Sequence, residues 1–223
     1  MEVLQFSGGL DSLACLELLK DKPGLIVLTA STDGAYPERD EYLKMVASYY
    51  PGLIFKECYA DRHLERFGQP VDVVPIKFTT IGHIVQLSPV KYQPHFECCN
   101  RSLWLPMMQA TAALGATVVY KGQRSEDSFK APIQDGHFED GILYRMPIQD
   151  WSRERVRDFV KARCPELIPP YYEKEKTSRD CWDCTAYLHE NLDRIRNLPR
   201  DRYLHVADIL DEWRRDINDE TRW

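Results

Sequence analysis

Two short runs of residues carry most of the chemistry that this chain announces. One is SGGLDS at residues 7–12; the other is a set of two tight cysteine pairs, Cys98 with Cys99 and Cys181 with Cys184 in CWDC. A glycine turn that opens a helix leaves backbone N–H groups unpaired beside the positive end of the helix dipole, and together these make an anion site suited to phosphates. Gly8 and Gly9 allow positive φ and close approach of a ligand to the backbone, while Ser7 and Ser12 add hydroxyl donors. Asp11 repels bare phosphate, so its expected work is to help hold Mg2+ or to orient the turn. The run has no Walker-A lysine, which separates it from the P-loop NTPases.

The two-residue gap of CWDC lets both sulfurs turn toward one metal or cluster, and Cys98 and Cys99 offer the other two thiolates of a four-ligand site. Zinc, a redox dithiol at CWDC, and four unrelated buried thiols compete with a cluster, because free cysteine packs as a small hydrophobe. Seven cysteines, an odd number, point to metal or thiol use in a reducing compartment rather than to a disulfide framework. The start MEVLQFSGG lacks the features of a signal peptide, and no apolar run is long enough to span a bilayer; a cytoplasmic protein with no membrane partner is expected. Cys15 and Cys58 read as core, Cys164 before its proline as a surface thiol. His95 and His137 read as structural, and Lys121 and Lys130 as surface lysines.

The elements that position these residues follow from hydrophobic period. Val3 to Phe6 predicts a strand, then the glycine turn, then a helix with Leu10, Leu13, Ala14 and Leu18 at helical spacing. Residues 24–31, GLIVLTAS, form a continuous apolar run of the kind buried in a parallel sheet. A helix is predicted over 38–50, strands over 53–58 and 117–122, and helices over 100–114 and 153–162. Such alternation predicts an α/β fold with a mainly parallel, Rossmann-type sheet flanked by helices. Residues 59–97 show no clear period. The final helix carries an apolar stripe of Tyr203, Val206, Ala207, Leu210, Trp213 and Ile217, expected to pack on the sheet or on a second copy in a homo-oligomer.

At 223 residues, 43% hydrophobic and 29% charged, the chain falls in the globular range and excludes wholesale disorder. It is read as a single domain over 1–223, with a nucleotide-binding core over 1–150 and a cluster-bearing, helical C-terminal part over 151–223. The net charge of −6 gives no global attraction to nucleic acid. RERVRDFVKAR, residues 153–163, carries five basic and two acidic residues and reads as a solvated helix face.

With SGGLDS after a strand and before a helix, the chain resembles the PP-loop ATP-pyrophosphatase superfamily, whose ATP-using members cleave between the α and β phosphates. STDGAYPE (31–38), GQRSEDS (122–128), MPIQDWSRERVRDFV (146–160) and PPYYEKEKTSRDC (169–181) further resemble successive blocks of the phosphoadenosine-phosphosulfate (PAPS) reductase family. The resemblance implies an adenine nucleotide alpha-hydrolase-like fold. It also places Asp33 near the adenosine and Arg124 on phosphate or sulfate, a role that suits the arginine fork. The pattern of adjacent cysteines followed by CxxC resembles the 4Fe-4S ligand set of the adenylylsulfate-reducing branch, with zinc as second choice.

Two departures bear on function. The reductases carry an altered phosphate loop, whereas SGGLDS here is intact and points to ATP; they also carry a catalytic cysteine near the C-terminus, whereas residues 185–223 contain none. The first expectation is therefore an ATP- and Mg2+-dependent enzyme, with Asp11, Ser12 and Arg124 catalytic, that adenylates an acceptor and inserts sulfur with the help of the cluster. The acceptor is a nucleic acid or a small molecule, and a sulfur or electron donor protein is implied. The alternatives are an adenylylsulfate or phosphoadenylylsulfate reductase that takes its thiol from elsewhere, and a nucleotide-binding protein without chemistry.

Overall fold

The computed structural model describes residues 1–32, 34–60, 63–86, 89–127, 130–169, 172 and 181–220. In chain order the elements are β1 (Glu2–Gln5), α1 (Leu10–Leu19), β2 (Ile26–Ser31), α2 (Glu38–Tyr49), β3 (Ile54–Tyr59) and α3 (His63–Phe67). Next come β4 (Gln69–Val71), α4 (Thr80–Gln86), β5 (Tyr92–Pro94), α5 (His95–Cys99) and α6 (Leu105–Ala113). They are followed by β6 (Val118–Lys121), β7 (Phe138–Glu139), β8 (Ile142–Arg145), α7 (Arg153–Arg163), α8 (Leu188–Arg196) and α9 (Arg200–Glu220).

Contacts between backbone segments divide the chain into two units that interleave in sequence. The first holds residues 1–31, 37–59 and 105–178 and contains a six-stranded sheet of order β3-β2-β1-β6-β8-β7. Every neighbouring pair is parallel except the edge pair β7 and β8. The apolar run of β2 divides its residues between two cores by strict alternation, as a strand with both faces covered must. Leu25 and Val27 join Leu4, Phe6, Leu13, Leu16, Val46, Val156 and Val160 on one face, where α1, α2 and α7 pack. Ile26 and Leu28 join Val3, Ala116 and Val119 on the other, packed against Met107 and Ala110 of α6. The expected strands and helices of this unit are present within a residue or two, with one exception. Residues 100–104, predicted as the start of a helix over 100–114, form a π-helical turn before α6.

The second unit holds residues 32–36, 60–104 and 179–223. Its core lies in the stretch that showed no period. The short parallel pair β4 and β5 supplies Val71 and Tyr92, and the turn Ile76–Phe78 adds Phe78. Val206, Leu210 and Trp213 of α9 close over them, and the Trp213 indole donates to Val73 O at 2.8 Å. The final helix thus packs on these elements of its own unit; Tyr203, counted in the predicted stripe, is 40% exposed. Among the described residues no helix is long and apolar enough to cross a membrane.

Candidate functional site

The glycine turn forms where β1 ends. Gly8 takes φ +84, a left-handed conformation that disfavours any side chain, while Gly9 is extended at φ −80 and ψ 165 and caps α1. Of the two glycines, only Gly8 uses the positive φ that both permit. The hydroxyls brace the turn: Ser12 Oγ donates to Gly9 O at 2.9 Å, and Ser7 Oγ accepts from Gly9 N at 3.3 Å and lies 3.3 Å from Ser12 Oγ. Ser12 is buried, so its hydroxyl shapes the cradle from beneath.

Asp11, in the first turn of α1, meets Arg124 from the loop after β6, with Oδ1 2.7 Å from Nε. That nitrogen makes no well-angled hydrogen bond despite the short distance, so the contact is an ion pair and not a directed bond. Arg124 is only 8% exposed. Asp127 folds it back on itself: Oδ2 accepts from the Arg124 backbone N at 2.7 Å and Oδ1 from Nη2 at 2.8 Å, while Glu126 takes Nη1 at 3.1 Å. Burial raises the Asp11 pKa above the ordinary carboxylate value, opposed by the Arg124 charge and reinforced by Asp127. A carboxylate in such a position gains from a metal ion or a further cation.

Sequence reasoning missed two neighbours of this turn and an arginine at the carboxyl end of β2. Gly122 lies against it: a Cβ there would stand 2.8 Å from the Ser12 backbone nitrogen. Tyr172 places its hydroxyl 3.0 Å from where a Cβ on Gly9 would lie. Arg39, at the start of α2, is anchored at the carboxyl end of β2 by Thr29 Oγ1 at 2.8 Å, Ser31 Oγ at 3.0 Å and the Ala30 carbonyl. Gly122 and Asp127 lie inside the quoted GQRSEDS block, but no spacing rule picks them out; Arg39 is hidden in the charged run ERDE. Lys121 corrects the surface expectation, because burial lowers its pKa; Lys130 is exposed and donates to the Ser125 carbonyl. Asp33, expected near adenosine, lies outside the described residues.

All four paired cysteines belong to the second unit. Cys98 and Cys99 end α5, and Cys181 pairs with Ala35 in an isolated antiparallel bridge reinforced by Trp182 N donating to Gly34 O at 2.9 Å. The Cys181 sulfur lies 3.4 Å from Thr32 Oγ1, and the buried Cys98 sulfur lies 3.5 Å from His63 Nε2. Burial pushes the Cys98 thiol well above its ordinary pKa, with the nearby Cys99, Cys184 and Asp183 adding to the effect. Asp183 packs on Gly34, where a Cβ would collide with its carboxylate, and burial raises its pKa too. Arg194 ties the bridge down by donating to Cys181 O at 2.8 Å and Tyr36 OH at 2.7 Å. Cys98 thus feels the charge of Cys99 and Cys184, and thiolates are the donor type that suits a cluster or zinc. Among the described residues no three His, Cys, Asp or Glu side chains stand as a preformed metal cage.

The other thiols behave as core residues. Cys15 and Cys164 are fully buried with raised pKa values, which corrects the surface expectation for Cys164, and Cys58 is half-buried with its pKa raised by burial. His137 lies 3.4 Å from Glu139, and His95 stacks on Tyr187 at 5.1 Å between centroids.

The family model described as the phosphoadenosine phosphosulfate reductase domain matches residues 2–187. The chain belongs to that family. It is accordingly a sulfonucleotide-reductase-like enzyme of the PP-loop superfamily, and the matched span includes both the glycine turn and all four paired cysteines. Among solved structures it is similar to the crystal structure of phosphoadenylyl-sulfate (PAPS) reductase from Candida auris in a phosphate complex, with a TM-score of 0.53, 16% identity and 81% of each chain covered. At that identity the likeness shows a shared fold. No curated protein matches the chain.

Proposed function

We propose that this member of the PAPS reductase family uses ATP, binding its phosphates at residues 7–12 and transferring the adenylyl group to an acceptor that then receives sulfur. The observation that carries this reading is the intact glycine turn, with Gly8 at φ +84 and no side chain capping α1. A bare helix N-terminus with paired glycines suits a polyphosphate. Mg2+ held with the help of Asp11 would neutralise charge on the phosphates, and Arg124, itself engaged by Asp11, Glu126 and Asp127, would hold Asp11 in place for that task. Attack by an acceptor oxygen on the α phosphorus breaks the bond to the β phosphate and releases pyrophosphate; a sulfur nucleophile then displaces AMP.

Cys98, Cys99, Cys181 and Cys184 are the residues that would hold a 4Fe-4S cluster, with zinc as second choice. A cluster supplies redox and sulfide chemistry when bound. The direct test incubates anaerobic, metal-loaded enzyme with Mg-ATP and acceptor fractions. AMP and pyrophosphate in equal amounts support the reading; ADP as product, or no turnover alongside rapid sulfite release from a sulfonucleotide, contradicts it. The second reading, a reductase acting on a ready-made sulfonucleotide, draws support from the family's name and from the phosphate-bound PAPS reductase whose fold this chain shares.

A further inference from the structure

Helix α7 is organised more specifically than a solvated face requires. Ser152 caps it by accepting from Arg155 N, and Val156 and Val160 bury its inner side in the core of the first unit. Its basic residues fall on two ridges that flank this buried side, because positions four apart lie one above the other about 6 Å along the axis. One ridge is Arg153, Arg157 and Lys161. The other alternates ring and guanidinium: Trp151, Arg155, Phe159, Arg163.

On that second ridge Arg155 lies 4.3 Å from the Trp151 ring centroid and Arg163 5.9 Å from that of Phe159, and the two rings meet edge to face at 5.1 Å. Both rings pack on the core, so they form a fixed base on which the guanidiniums rest. All five cations are exposed. Arg157 and Lys161 have no carboxylate within ion-pair distance among the described residues. Glu154 and Asp158 stand between the ridges on the solvent side, and the pKa of Glu154 is lowered by its position at the helix start beside Ser152 and by the charges of Arg157 and Arg153. At the N-terminal end of the helix, Arg153 lies close enough to Asp11 for its charge to act on that carboxylate.

We infer that α7 is a docking ridge for a single-stranded nucleic acid, whose phosphodiester backbone runs along Arg157 and Lys161 toward the glycine turn. The acceptor is then a nucleotide unit of that strand, and this rests on the adenylyl-transfer reading above. The interval along the ridge is close to the separation of successive phosphates on an extended strand. In a chain of net charge −6 these five cations form a local positive strip, and counterion release from phosphates is the force such a strip exploits. A single strand is the occupant because its backbone can follow one straight row of cations beside aromatic rings without a duplex having to be opened.

The test uses the full chain and a labelled single-stranded oligonucleotide of about 16 nucleotides, measured by fluorescence anisotropy between about 50 and 200 mM salt. The paired variant Arg157→Ser, Lys161→Ser should bind about tenfold more weakly, with the slope of log affinity against log salt shallower by about 1.4, two contacts at about 0.7 each. Arg157→Lys should keep the slope. Mg-ATP affinity, titrated in parallel, should be the same in all three proteins. A slope unchanged in the paired variant, or no strand binding at low salt by protein that binds Mg-ATP, overturns the inference. Strand binding with the expected slopes by protein that does not bind Mg-ATP upholds the docking ridge and overturns the adenylyl-transfer reading instead.

Discussion

A Cβ placed on Gly122 would lie 2.8 Å from the backbone nitrogen of Ser12 and 2.9 Å from the carbonyl oxygen of Asp11. The strand end at β6 is therefore pressed against the first turn of α1, and the backbone there has no room to give. Gly122→Ala should cost about 1 to 3 kcal/mol through overpacking and weaken Mg-ATP binding by shifting the turn. Gly52→Ala, where nothing lies within 4 Å, is the matched control and should be near neutral. Thermal melts and ATP titrations of the two variants check this; equal behaviour would show that the contact is slack.

Asp127 holds Arg124 by two hydrogen bonds, to the backbone nitrogen and to Nη2. Asp127→Asn keeps the shape and removes the charge, so kcat should fall by at least about tenfold, near 1.4 kcal/mol in the transition state, while KM for ATP changes less. If instead KM rises and kcat holds, Asp127 serves ground-state binding alone.

For the cysteines, anaerobic protein should contain iron and acid-labile sulfide near about four per chain. Serine at Cys98, Cys99, Cys181 or Cys184 should each abolish that content and lower the melting temperature, since metal sites also stabilise folds. Cys15→Ser and Cys164→Ser should leave it intact. Zinc without sulfide in reconstituted protein would replace the cluster assignment.

Glu2 ties the first strand to its surroundings through Lys22, 2.7 Å away, and Tyr120 OH, which donates at 2.7 Å. The hydrogen bond from Lys22, followed by that from Tyr120, lowers the Glu2 pKa below 4.5. A carboxylate with a depressed folded pKa adds stability that is present above its unfolded value and lost as pH falls through the folded one. Wild type should therefore exceed Glu2→Gln in urea stability at neutral pH, and the gap should close in the window below about pH 4.5. A gap that stays constant into acid would rule out this linkage.

Much of this architecture is legible in the residues themselves. The run GLIVLTAS reads as a strand covered on both faces, which it is, and SGGLDS between a strand and a helical period places a glycine turn at the carboxyl end of that sheet, where ligands of such folds sit. The second unit was opaque because its strands are three residues each and its core joins Val71 and Tyr92 to α9, more than a hundred residues later. Local period carries no trace of such pairing. Within the site, Asp11 and Arg124 were legible as types, but their ion pair and the grip of Asp127 depend on a loop path that no spacing encodes. Gly8 and Gly9 look alike in sequence and differ only in backbone conformation.

On the function proposed above, the glycine turn at residues 7–12 favours ATP over a ready-made sulfonucleotide. Calorimetric titration of anaerobic, metal-loaded protein with Mg-ATP, adenylylsulfate and phosphoadenylylsulfate tests it most directly. Mg-ATP should bind at least about tenfold more tightly than either sulfonucleotide, a difference near 1.4 kcal/mol, and Gly9→Val should remove the preference. Tighter binding of a sulfonucleotide, with ATP bound weakly or not at all, would contradict it.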